Sequence, residues 1–259
     1  MVRHLVGKNP PIAALYGHAI HTALDTWYKT KDVKQAIEVF NSEWTDFDSD
    51  DKRTSVVAKK MLELYDAQYT NQSLKTLEIE KYFSLDLIPD LKYMGRIDKI
   101  VEWDGAIYTL DHKTTTRLGI TFFNKIKPNM QFAGYVWAAQ QLGYPQCSGA
   151  VLDALLVAKG LTNSSQISRL TPVARDISPV TVEDLAEWID DVYNIIEDLK
   201  RCYDSQRWCR NTEGCSDFGE CPYRRICKED INIREAVIKQ DFIEEVWSPE
   251  RTPDVKDKA

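Results

Sequence analysis

"GRIDKIVEWDGAIYTLDHKTTTR", residues 95–117, decides how this chain is read. Two β-rich runs flank Asp104-Gly105, a dipeptide that suits a tight hairpin because both turn positions tolerate a positive φ. Asp98 lies on the first run, and Asp111, His112 and Lys113 lie on the second. Side chains alternate along a strand, so Asp111 and Lys113 share one face while His112 takes the other. Antiparallel pairing can bring Asp98 to the side of Asp111. Charge near a core is costly unless something binds it. Two carboxylates and an ammonium suit a divalent cation: the acids offer hard oxygen ligands for Mg²⁺ or Mn²⁺, and the backbone carbonyl of His112 is a further oxygen. A lysine there can orient water and balance phosphoryl charge. A lone D-x-K on an exposed hairpin is an ordinary ion pair, so the pattern needs support from the rest of the chain.

Outward from the hairpin, apolar residues at helical spacing predict helices over 13–29, 33–44 and 53–70. The period then changes to two: residues 77–87, 94–103 and 106–114 predict a three-stranded meander. A helix over 129–143 follows, then an apolar strand over 149–159, a possible partner strand over 167–177, and a long helix capped by Thr181. A short helix is expected within 230–246, and the Pro- and charge-rich residues 247–259 are expected to be disordered. This order predicts an α/β (α+β) fold, a central mixed β-sheet flanked by helices. The expected division is a core over 1–200, a cysteine-rich module with a closing helix over 201–246, and the tail.

Three further patterns bear on the hairpin: Gly17-x-x-x-His21 on the first helix, Gly95-x-x-Asp98 leading into the first acid, and Gln131-x-x-x-Tyr135 on the helix after it. Each alone is an ordinary amphipathic or strand feature. In this order and spacing they resemble the PD-(D/E)xK nuclease superfamily over about residues 13–230, and within it the RecB-like exonuclease branch, related to AddB-type, CRISPR adaptation and phage recombination exonucleases. The resemblance implies a restriction-endonuclease-like core. It implies Asp98, Asp111 and His21 as metal ligands, Lys113 as the catalytic lysine, and Gln131 and Tyr135 as a pair that supports the lysine and touches the DNA backbone. Ile97 stands where the superfamily name has proline. Glu80 is a further acid near this site, weighed against an ordinary surface position.

Four of the six cysteines, Cys209, Cys215, Cys221 and Cys227, are spaced with five residues between neighbours. With no export signal in view, such a cluster reads as a metal site before it reads as disulfides. Tight C-x-x-C zinc knuckles are missing. The end of the segment resembles the iron–sulfur motif of RecB-type nucleases, which implies a [4Fe-4S] cluster, with Zn²⁺ as the alternative. That motif takes one cysteine from ahead of the first catalytic helix, and here no cysteine precedes Cys147.

The net charge of −7 excludes a general polyanion-coating protein, though not an enzyme with a local basic path. Arg96, Arg117, Lys125 and Lys127 around the hairpin, with Arg224 and Arg225 in the cysteine segment, are candidate DNA contacts, weighed against a solvated surface. No apolar run approaches the roughly 20 residues that cross a bilayer, and a cytoplasmic location is expected. The reading is a Mg²⁺- or Mn²⁺-dependent DNA exonuclease, phage or bacterial, in recombination, repair or end processing, acting on single-stranded DNA or duplex ends and served by a recombination or helicase partner. The alternatives are a non-catalytic DNA-binding or assembly subunit and a single-strand or structure-specific endonuclease.

Overall fold

The computed structural model describes residues 4–89, 91–124, 126–210, 212–216 and 220–246. Lys125 and the tail 247–259 therefore lie outside the described residues. The chain divides into two compact units: Pro11–Trp188, and the described parts of Met1–Pro10 with Ile189–Ala259. In chain order the elements are β1 (Leu5–Gly7), α1 (Ile12–Thr30), α2 (Val33–Glu43), α3 (Ser55–Tyr69), β2 (Leu74–Ile88), β3 (Leu91–Trp103) and β4 (Ala106–Thr115). These are followed by α4 (Ile120–Phe123), α5 (Met130–Gln141), β5 (Cys147–Leu156), β6 (Val173–Pro179), α6 (Val182–Ser205), α7 (Arg224–Lys228), α8 (Arg234–Asp241) and β7 (Phe242–Glu244). The unit boundary falls inside α6, ahead of the division expected at residue 200. No described helix is long and apolar enough to cross a membrane.

The larger unit is a five-stranded sheet in the order β2-β3-β4-β5-β6, antiparallel except for the β4–β5 pair. A parallel pair needs a crossover, and α5 supplies it. Helices α1–α3 pack on one face through Tyr16, Ile20, Trp27, Phe40, Met61 and Tyr65. Phe132, Val136 and Ala139 of α5 and Leu185 of α6 cover the other face, against Phe83, Ile97 and Ile100. The helix starts have local causes. Asp32 accepts from Lys34 N at 2.8 Å, Asn129 accepts from Gln131 N at 2.9 Å, and Thr181 and Asp184 cap each other reciprocally. The β3–β4 turn places both Asp104 and Gly105 at positive φ, as the two-residue hairpin requires.

Strand β5 is buried along almost all its length, as a central strand should be, yet it carries Asp153, fully buried. Arg175 of β6 answers it with two hydrogen bonds, Nε to Oδ1 and Nη2 to Oδ2, both 2.6 Å. Burial alone would raise the Asp153 carboxyl, but the guanidinium outweighs it and holds the acid below its usual range. Arg175→Met should strand that carboxylate and cost about 3–5 kcal/mol in denaturant unfolding, whereas Asp153→Leu combined with Arg175→Met should come much closer to wild type. A single-variant loss below about 1 kcal/mol would show that the pair does not carry this share of stability.

In the smaller unit the short helix expected within 230–246 covers only Arg234–Asp241, and the residues after it form β7. Its antiparallel partner is β1, with Val6 opposite Ile243. Lys8 Nζ donates to the carbonyls of Lys239 and Gln240 at 2.9 and 2.8 Å, satisfying the end of α8. The Tyr223 hydroxyl donates to Leu5 O at 2.9 Å, while its ring stacks on Phe242 at 5.7 Å. Hydrogen bonds and a ring stack thus join β1, β7 and Tyr223.

Candidate active site

The site forms where the sheet comes apart. The β3–β4 ladder ends at Lys99↔Leu110, so the next cross-strand position would set Asp98 opposite Asp111. On the other side, the pairs Ile79↔Lys99 and Lys81↔Ile97 leave Glu80 opposite Asp98. Three acids therefore stand in a row across β2, β3 and β4. Glu80 has φ +49 and takes no ladder partner, a conformation that costs a non-glycine residue on the order of 1 kcal/mol. Asp98 fills the parted ladder itself: its Oδ2 accepts from the backbone N–H of His112 at 3.0 Å.

Helix α1 brings His21 over this row. Its Nε2 lies 2.8 Å from the His112 carbonyl. A carbonyl only accepts, so Nε2 carries hydrogen and Nδ1 faces Asp98 Oδ2 at 3.3 Å. His21, Glu80 and Asp98 each offer a ligand atom within 4.8 Å of the others, the one such group among the described residues. Asp111 is outside it. Both its oxygens face the Lys113 ammonium, Oδ1 at 3.1 Å and Oδ2 at 2.8 Å. Arg96 pairs with Glu80 at 2.7 Å, and the buried Lys99 pairs with Asp25 of α1 at 2.7 Å. On α5, Gln131 Nε2 donates to the Tyr135 hydroxyl at 3.0 Å. Burial raises the Tyr135 phenol, and the charges of Asp111 and Asp98 add to that.

The electrostatics divide the acids. Burial raises Asp98, but His21, the His112 side chain and Lys99 outweigh it, and the carboxyl sits far below its usual range. Burial, then the Asp98 charge, push Asp111 up to about 6 against the pull of Lys113. Burial, then Asp25 and Asp98, push Glu80 up to about 6 against Arg96. His112, driven down to about 4 by burial and then by Lys99, is neutral. Crowded, desolvated acids that resist ionising together are relieved by a bound cation. The donor set, three acids and an imidazole, fits a divalent ion.

A family model described as PD-(D/E)XK nuclease superfamily matches residues 2–228. The chain belongs to this nuclease superfamily. Among solved structures, one titled "Crystal structure of SSO0001" is similar at 13% identity and a TM-score of 0.36, covering 82% of this chain and 84% of that one, a likeness too distant to carry argument. A search of curated proteins gives no match.

In this nuclease, Gly95 of the G-x-x-D pattern is required by space, because a Cβ there would meet the Phe83 ring at 2.5 Å. A Cβ on Gly17 would make only an ordinary contact with Thr114. Of the basic residues read as DNA contacts, Arg96 is held by Glu80, Lys127 by Asp184 at 2.6 Å and Arg225 by Asp241 at 2.5 Å. Arg224 lies 3.6 Å from Glu220, and Arg117 is exposed. Among the described residues, the cysteines of the C-terminal segment are not in a group whose ligand atoms all lie within 4.8 Å of one another. Lys99, read from the sequence as one of the basic residues around the hairpin, is instead buried, and its partner Asp25, one helical turn beyond His21, was given no role.

Proposed function

We propose that this nuclease is a divalent-metal-dependent deoxyribonuclease of the RecB-like type that degrades DNA from its ends. The observation that carries the reading is the row Glu80, Asp98 and Asp111 at the parted strands, with His21 above it and Lys113 beside it. His21, Glu80 and Asp98 would hold the ion, and Asp111 and the second lone pair of the His112 carbonyl lie next to them. A bound Mg²⁺ or Mn²⁺ would supply Lewis-acid polarisation of a phosphodiester. Lys113, half-exposed on β4, orients the attacking water and offsets phosphoryl charge. Gln131 and Tyr135 line the approach on α5 and steady the strand being cut.

Labelled linear oligonucleotides, blocked at the 5′ end, the 3′ end or neither, test the reading with Mg²⁺, Mn²⁺ or EDTA. Stepwise shortening that needs metal and a free end, with circular single strands left whole, is the expected result. Cleavage of the circles would make it an endonuclease. DNA binding with no metal-dependent cleavage would leave a non-catalytic subunit.

Cys209, Cys215, Cys221 and Cys227 extend the proposal to a [4Fe-4S] cluster. A cluster binds each cysteine to a different iron and spreads the sulfurs more widely than one Zn²⁺ does. Brown protein with stoichiometric iron and sulfide supports it, and colourless protein with one zinc replaces it.

A further inference from the structure

Behind the acids, on the opposite face of the sheet, lies a polar cluster that the proposed chemistry does not use. Asp153 Oδ2 accepts from the Tyr65 hydroxyl at 2.5 Å, and the hydroxyls of Tyr28 and Tyr65 meet at 2.7 Å. Arg175 Nη2 reaches both of those hydroxyls at 3.1 Å and Asp153 at 2.6 Å, while its Nη1 donates to Gln72 at 2.6 Å. All four polar side chains of the central part, Tyr28, Tyr65, Asp153 and His112, are buried. The His112 ring enters this cluster. Its Nε2 lies 3.4 Å from the Tyr65 hydroxyl and 3.5 Å from Asp153 Oδ2, and its edge meets Tyr28 at 5.6 Å between centroids.

The same residue also reaches the candidate ion site, where its Nδ1 lies 3.7 Å from Asp98 Oδ2 and its ring meets the His21 ring at 5.7 Å between centroids. Its backbone N–H donates to Asp98 and its carbonyl accepts from His21, two members of the group of three around the candidate ion. A ring fixed in the cluster thus sets both the ring nitrogen and the backbone groups of His112 that meet two of the ligands. Ligand-orienting groups of this kind ordinarily sit one bond beyond the ligand side chain itself. Here the link runs through His112, by its ring and by its backbone.

We propose that Asp153, with Tyr65 and Arg175, is a positioning group for the metal site and acts through His112. The inference rests on the metal-site reading above. It differs from a purely structural role in one respect: it ties the cluster to the metal affinity of protein that remains folded.

The test measures Mn²⁺ binding by the loss of the free-ion paramagnetic resonance signal and by calorimetry, well below each variant's unfolding temperature. His112→Phe keeps a ring and the backbone but removes the polar nitrogens, and should weaken Mn²⁺ binding about tenfold or more. His112→Gln returns a donor toward Asp153 and should recover part of the loss. Tyr65→Phe should weaken binding in the same direction by less, while Tyr16→Phe, a buried tyrosine of the same helical layer outside the cluster, should leave it unchanged. If His112→Phe does not fold, Tyr65→Phe against Tyr16→Phe decides. Wild-type affinity in His112→Phe, or equal affinity in the two tyrosine variants, overturns the positioning role and leaves the nuclease reading standing. A wild-type protein that binds no Mn²⁺ removes the metal site, and this inference with it.

Discussion

Lys113→Ala should abolish metal-dependent DNA degradation, by about 10²–10³-fold or more, while the protein stays folded and still binds Mn²⁺. The split between binding and turnover is the informative part. Lys113 touches Asp111 at 2.8 Å but is not in the group formed by His21, Glu80 and Asp98. Its ammonium competes with a cation for the Asp111 carboxylate, so removing it should leave Mn²⁺ affinity equal or tighter. Its side chain is half-exposed, so little packing is lost. Single-turnover cleavage of an end-labelled oligonucleotide, with Mn²⁺ titration of the same preparation, reads both quantities. Activity within tenfold of wild type would remove Lys113 from the chemistry. Lost Mn²⁺ binding would recast it as a residue that shapes the ion site.

The second large effect is on stability and carries an unusual sign. Asp111 is buried, and its folded pKa of about 6 stands above the ordinary value of 3.8. Such an acid holds its proton more tightly when folded. Its contribution to stability is complete below the unfolded pKa and is lost as pH rises through the folded one. Asp111→Asn abolishes that titration. In EDTA at about pH 8 the variant should therefore be more stable than wild type by on the order of 1–3 kcal/mol. The gap should close towards about pH 4, where the wild-type carboxyl is protonated and resembles the amide. Saturating Mn²⁺ should narrow or reverse the order, because an ion that binds the folded state more tightly in wild type stabilises it more. The same variant should lose nuclease activity, the trade of stability for function expected where like charges are packed to receive a cation. Thermal melts of both proteins across pH, with and without Mn²⁺, check each part. A wild type that outlasts the variant at about pH 8 in EDTA would show that Lys113 and the surrounding dipoles compensate Asp111 fully.

The sequence alone determined the main elements of the core and the order of the motifs, because those signals are local, but not β1, β7 or the start of β6. Alternation from 94 to 114 and the Asp104-Gly105 turn set the hairpin. Helical spacing placed α1 and α5, and the family match agrees with the superfamily that the ordered patterns implied. Only the tertiary structure decided which groups meet. Glu80 joins His21 and Asp98 because the β2–β3 register and a positive φ turn it there, and a strand glutamate has no local mark for that. Asp153 and Arg175 find each other across β5 and β6, and β1 finds β7 from the far end of the chain. Cysteine spacing likewise suggested a metal module without fixing where the sulfurs lie. Periodicity records which face a residue takes; distance between charges depends on long-range pairing, whose register a single strand does not encode.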